Sequence, residues 1–282
     1  MRYKIDHDLH LHTGLSVCSG NPEQNPQRIL EYARQNGMNT VCVTDHYWDK
    51  EVSGATGFYD EQDYSHIAAS KPLPQGDGIR FLFGCETDMN HDLTIGVPPE
   101  RYDDFDFIIV PINHFHFHPH TLPAEAVGNA EQIAKCWVNK FKGVLDSGLP
   151  LHKTGLAHLT CGLTAPDSTE TLRRVFEIIP DSTYRMLFAE AAKKGVGIEL
   201  NADDARLRAG ESLLHPYKIA KEQGCKFYLG SDAHSPKGLE DAIGLFEKII
   251  DLLDLKESDK FILKEQKAKL NFSLAFFVLF TV

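Results

Sequence analysis

Short apolar runs rich in Val, Ile, Leu and Phe recur along the chain, separated by longer amphipathic stretches. This is the pattern of buried parallel strands joined by crossover helices. Seven such runs stand out: Ile5–Leu9, Thr40–Thr44, Arg80–Cys85, Phe105–Val110, Thr154–Ala157, Val196–Leu200 and Lys226–Leu229. Between the first two, Pro26–Asn36 carries Pro at its start, Ile29, Leu30 and Ala33 on one face, and Gly37 where a helix must end. Gly195 and Gly224 stand before the sixth and seventh runs in the same way, each a left-handed cap before the chain re-enters the sheet. Ser168–Ile179, Tyr184–Lys194, Leu214–Gln223 and Leu239–Leu253 are further predicted helices.

The longest irregular stretches are Tyr47–Gly78 and Asn113–Val127, and loops of that length in a compact fold commonly form lids or substrate walls. No low-complexity linker or charge block divides the chain. The expectation is therefore one domain over residues 1–282, with its core at about 5–255 and a tail from 256 to 282 whose packing is left open. Seven βα-type units suggest a barrel or a doubly wound sheet, and both place their site at the carboxyl ends of the strands.

Composition narrows the function classes. With 42% hydrophobic and 24% charged residues, the 282-residue chain has material for a substantial core. Its net charge of −11 disfavours nucleic acid or an anionic membrane as partner. The N-terminus lacks the apolar core of a secretory leader, and Phe272–Val282 is too short to span a bilayer. Six scattered cysteines without a Cys-x-x-Cys pair suit a reducing cytoplasm.

The chemistry gathers where the predicted strands end. The first ends in His10-Leu11-His12, whose i, i+2 spacing in extended chain turns both imidazoles to one side. The second ends in Thr44-Asp45-His46, the third in Gly84-Cys85-Glu86, and the fourth is followed by Asn113-His114. His158 follows the fifth, and the seventh runs into Gly230-Ser231-Asp232-Ala233-His234. The sixth offers no candidate ligand. Imidazole and carboxylate without convergent thiolates select Zn, Mn or Fe(II). So many donors exceed one tetrahedral ion, which implies two or three metals with a carboxylate, best Glu86, bridging two of them. In His114-Phe115-His116-Phe117-His118-Pro119-His120, His116 competes with His114, and His114 is preferred because it comes first after the strand.

These motifs, Asp8-Leu9-His10-Leu11-His12-Thr13, Val43-Thr44-Asp45-His46, Gly84-Cys85-Glu86, His114, His158 and Leu229-Gly230-Ser231-Asp232-Ala233-His234, resemble those of the PHP (polymerase and histidinol phosphatase) superfamily from Asp6 to about residue 250. The resemblance implies an α/β fold, a distorted (β/α)7 TIM-like barrel, binding up to three metals at its rim. It implies one ion on His10, His12, Glu86 and Asp232, a second on Glu86, His114 and His158, and a third on His46, His234 and an Asp or His shortly after the His-x-His pair. Here the chain departs from the pattern, since Gly14–Gly20 holds only Cys18 near that place. Either Cys18 is a thiolate ligand, or the third ion is weakly held, or the site is binuclear.

Such a cluster suits hydrolysis of a small phosphomonoester, with histidinol phosphate implied by the resemblance, by a metal-activated hydroxide. Glu86, Asp232 and His234 are the candidate catalytic groups, Asp232 or His234 as proton donor. Arg206, with Arg208 as substitute, is expected to meet the phosphate, and Lys237 and Lys153 are weaker rim candidates. The alternatives are an amidohydrolase-type hydrolase of a C–N or C–O bond and a non-catalytic metal-binding module.

Overall fold

The computed structural model describes residues 1–207 and 210–263. Eight parallel strands form its frame: β1 (His7–Leu11), β2 (Thr40–Val43), β3 (Arg80–Phe83), β4 (Cys85–Glu86), β5 (Ile108–Pro111), β6 (Thr154–Ala157), β7 (Gly197–Asn201) and β8 (Lys226–Gly230). They hydrogen-bond as two sheets, β1-β2-β3 and β4-β5-β6-β7-β8. The predicted run Arg80–Cys85 is thus divided at Gly84. A Cβ there would lie 2.5 Å from the Phe107 carbonyl oxygen, so only glycine lets the chain leave β2 and join β5.

At the other seam β8 meets β1. Asp232 N–H donates to the His10 carbonyl (2.8 Å) and His12 N–H to the Ala233 carbonyl (3.2 Å). Lower down, β1 side chains take the place of backbone acceptors: Leu229 N–H donates to His7 Nε2 (3.1 Å) and Ser231 N–H to Asp8 Oδ1 (3.0 Å). The ring is therefore the distorted seven-unit (β/α) barrel expected from the sequence, with its third strand in two pieces. His7, bonded to Asp6 and β8, serves the frame rather than the rim.

Among the described residues seven α-helices accompany the strands: α1 (Pro26–Gln35), α2 (Tyr64–Ile67), α3 (Ala130–Asp146), α4 (Thr169–Ile178), α5 (Asp181–Lys194), α6 (His215–Glu222) and α7 (Pro236–Leu252). The predicted caps are present. Asn25 accepts from Arg28 N–H with Pro26 at the first turn, and Gly37, Gly195 and Gly224 have φ of 63°, 75° and 81°. The 17-residue α3 was not foreseen. Its buried face carries Lys140 among Trp137, Phe141 and Val144, and that cation breaks the apolar stripe by which a core helix is known. The Lys140 Nζ donates to the Met89 carbonyl oxygen.

Most of the core lies between helices and sheet. A smaller cluster, including Leu9, Cys42, Leu82, Phe107, Ile109 and Tyr228, fills the ring, and Phe261 and Leu263 join it. Phe261 N–H donates to the Phe227 carbonyl (2.7 Å), so the segment after α7 seals the amino end of the barrel. The apolar run Phe272–Val282 lies outside the described residues. No described helix is long and apolar enough to cross a membrane, and all six thiols are free.

Candidate metal centre

The carboxyl ends of the strands converge. The β1–β2 register shifts between Asp8 and Leu11, so Leu9 packs inside the ring and Leu11 outside it. His10 and His12 still meet, with their Nε2 atoms 3.1 Å apart. Three groups of donors lie close enough together to hold an ion: His10, His12, Glu86 and Asp232; Glu86, His114 and His158; and His12, His46 and His234. Glu86 divides its carboxylate between the first two. Its Oε2 lies 3.4 Å from His10 Nε2 and 3.2 Å from His12 Nε2, while Oε1 lies 3.3 Å from His158 Nε2 and 3.7 Å from His114 Nε2. Asp232 Oδ1 lies 3.4 Å from His10 Nε2 and 3.2 Å from His12 Nε2. Donors sharing a tetrahedral ion at about 2.0–2.1 Å stand roughly 3.3 Å apart, and the spacings match.

Outer hydrogen bonds decide which nitrogen of each ring faces inward. His10 Nδ1 meets Glu199 Oε1 (2.7 Å), His114 Nδ1 meets Asp88 Oδ1 (2.9 Å), and His158 Nδ1 meets Asn113 Oδ1 (2.9 Å). His12 Nδ1 meets Ser16 Oγ (2.9 Å), whose own hydrogen goes to Asp45 Oδ1 (2.6 Å). Each Nδ1 must donate to these acceptors, which leaves the Nε2 lone pairs pointing at one another and at Glu86. Such an array repels itself unless cations lie within it. Glu86 Oε2 and His46 Nδ1 are buried and make no hydrogen bond. The residues present therefore fit divalent metal ions.

The charges agree. Burial pushes the Glu86 carboxyl up, but the imidazoles around it, His10 first, outweigh it and hold it well below the usual range. Burial lowers His12, yet the Asp232 and Glu86 carboxylates beside it raise it to about 9. Burial depresses His234 to about 4 and His46 well below its usual value, so both are neutral at pH 7. Because His12 carries a proton at pH 7.5 among protein groups alone, metal uptake must expel it, and affinity should climb as pH rises toward 9. Calorimetric titration with Zn²⁺ or Mn²⁺ in buffers of different ionisation enthalpy should show net proton release at pH 7.5. Uptake without release would contradict the assigned protonation.

All eight His and carboxylate positions expected at the rim are brought together, and His114 rather than His116 belongs to a ligand group. His12 completes the third group where an Asp or His after the pair was expected. Cys18 lines the cavity above the cluster but belongs to none of the three groups. Arg206 lies 3.5 Å from Asp203 Oδ1 and 3.8 Å from Asp241 Oδ2, and Lys237 Nζ lies 2.7 Å from Asp241 Oδ1. Neither lines that cavity. Arg208 lies outside the described residues. Lys153 precedes β6, at the far end of the barrel, where it donates to the carbonyls of Tyr102 (2.6 Å) and Phe105 (2.9 Å).

The supporting residues escaped notice in the sequence. The sixth predicted strand, which offered no ligand, supplies Glu199, and this fully buried carboxylate holds His10 and accepts from His158 N–H (2.6 Å). A lone acid within Val196–Leu200 was the available signal, since an unpaired charge is almost never buried. Asp88, two residues after Glu86, and Asn113, just before His114, had no signal of their own. His158 and Asp232 take φ of 28° and 54°, uncommon for residues with a Cβ and sustained by the bonds around them.

Gly230 makes room for Glu199. A Cβ at this position would lie 1.8 Å from Glu199 Oε1 and 2.7 Å from His10 Cβ. Gly230→Ala should therefore drive Glu199 off His10 and weaken metal binding by about 10–100-fold. Metal retained after dialysis against a graded chelator would measure the effect; wild-type retention would show that Glu199 has another way to reach His10.

The sequence profile of the PHP domain family matches residues 8–267. A probable phosphatase of Caldicellulosiruptor bescii is 21% identical over 231 residues, 82% of this chain and 80% of that protein, and one of Caldicellulosiruptor saccharolyticus is 20% identical over the same shares. Among solved structures, histidinol phosphate phosphatase from Lactococcus lactis, complexed with zinc, L-histidinol and phosphate, is 16% identical. That alignment covers 86% of this chain and 93% of the other, with a TM-score of 0.49.

Proposed function

Because the chain belongs to the PHP domain family, we propose that it is a metal-dependent phosphoesterase hydrolysing a small phosphomonoester, histidinol phosphate being the substrate that the resemblance implies. The observation that carries this is Glu86, whose two oxygens serve two histidine groups at once. Two or three ions of Zn, Mn or Fe, bound by the three groups, would supply positive charge to the phosphoryl oxygens and lower the pKa of a water toward neutrality.

The protein's own part is placement. His10, His12 and Asp232 hold one side of Glu86, His114 and His158 the other, and His46 and His234 face the cavity. The outer acceptors keep the Nε2 lone pairs of His10, His12, His114 and His158 aimed inward, so these four need no reorganisation when substrate arrives. Asp232 is held ionised, chiefly by His10 against the pull of burial, and His234 is neutral at pH 7. Both suit ligation better than proton donation.

The test is a screen of the metal-loaded protein against phosphomonoesters, including histidinol phosphate, together with amides and lactones, with metal analysis of the same sample. Chelator-sensitive release of phosphate is expected. Turnover of amides or lactones alone would replace this function with the amidohydrolase alternative.

A further inference from the structure

The cavity over the cluster has a volume of about 240 Å³, and its walls differ in kind from its floor. Glu86, His46, His114, Asp232 and His234 form the floor, while Phe58, Phe117, Leu163, His116 and Cys18 rise above it. Resting on the phosphatase function above, we propose that the leaving group is an alcohol bearing an uncharged aromatic ring, the ring seated against Phe58 and Phe117.

The two rings come from the two long loops, Phe58 from Tyr47–Gly78 and Phe117 from Asn113–Val127, and they touch with centroids 4.7 Å apart. Each also borders the ligands. Phe58 stands edge-on to His46 at 5.2 Å and Phe117 edge-on to His114 at 5.9 Å. A phosphoryl group on the floor therefore has aromatic surface within one ring's reach. Both rings are half-buried, whereas Phe105, Phe107, Phe115 and Phe141 are fully buried. Apolar surface left facing a polar floor is what a ligand's ring would cover.

The walls are also held ready. Tyr59, next to Phe58, donates its hydroxyl to Asp88 Oδ2 (2.7 Å), the same carboxylate that holds His114. Phe117 N–H donates to the His114 carbonyl (3.1 Å). The aromatic pair is thereby tied to the centre it overlooks.

Charge narrows the class further. No Lys or Arg is among the described residues lining the cavity, and its only carboxylates, Glu86 and Asp232, belong to the histidine cluster. An ammonium or a carboxylate on the leaving group would lose water there and, among the described residues lining the cavity, find no counter-charge outside the histidine cluster. This sets an aryl-bearing alcohol ahead of histidinol, whose amine is cationic at neutral pH.

Benzyl phosphate, ethyl phosphate and 2-aminoethyl phosphate release alkyl alcohols, so a preference among them reports recognition of the ring rather than ease of bond breaking. The metal-loaded protein should turn over benzyl phosphate with a kcat/KM at least about tenfold above the other two. By calorimetry it should bind benzylphosphonate more tightly than 2-aminoethylphosphonate by a similar factor. F117A should bring the benzyl-to-ethyl ratio close to unity, and F117Y should keep it. Equal values for the three esters, or preference for the amine, would overturn this inference alone, and the wild-type comparison decides even if F117A does not fold. Hydrolysis of none of them would overturn the phosphatase function, and this inference with it.

Discussion

Glu86→Gln is expected to strip metal from the protein and to lower phosphatase kcat/KM by about a thousandfold or more. Glutamine keeps the shape and removes the charge. Oε1 and Oε2 lie within 3.2–3.7 Å of four imidazole nitrogens, and Oε2 lies 3.0 Å from His46 Nδ1. An amide must turn its NH₂ toward one of these sets, where a donor meets inward lone pairs and blocks the ion. Two of the three groups lose their shared carboxylate together, so the effect cannot stay local to one ion. Metal-assisted charge stabilisation is worth several kcal/mol, and each 1.36 kcal/mol is tenfold in rate. Metal analysis, circular dichroism and kinetics on one preparation would check it. A folded variant with full metal content and near-normal turnover would refute the bridging role.

Glu199→Ala should be nearly as damaging, although this residue does not line the cavity. Its carboxylate accepts from His10 Nδ1, from His158 N–H and from Asn201 Nδ2 (3.2 Å). Loss of the partner that orients a metal-binding histidine typically costs 10–100-fold in metal affinity. The buried donors left without an acceptor cost about 1–3 kcal/mol each in stability. Glu199→Gln keeps an acceptor but not the charge, so it should recover most of the melting temperature and only part of the affinity. A merely structural residue would restore both together, and the split between denaturation and metal titration separates the cases.

The motifs at the strand ends were legible because the place of each candidate donor has a local cause. A side chain that follows directly on a parallel strand arrives at the same rim as every other one. Hence the sites of His10, His12, His46, Glu86, His114, His158, Asp232 and His234 could be placed from an apolar run and the residues after it. Cys18, Arg206 and Lys237 had the right chemistry near the right strand ends. Lys237 falls in the first turn of α7 and pairs with Asp241 one turn on, while loop paths turned Arg206 toward the same Asp241 and left Cys18 at the cavity wall. Helix α3 was hidden by Lys140, a buried cation whose acceptor lies 51 residues away in the chain.

By itself, then, the sequence determined the alternation of strand and helix, the caps that punctuate it and the inventory of donors at one rim, because those follow from local periodicity and backbone preference. The tertiary structure alone decided that Glu86 faces two histidine groups, that Glu199, Asp88, Asn113 and Ser16 aim the imidazoles, and that Phe58 and Phe117 meet above them. Each of those facts is a contact between segments far apart in the chain, and the geometry of such a contact is set by packing rather than by either segment's own pattern.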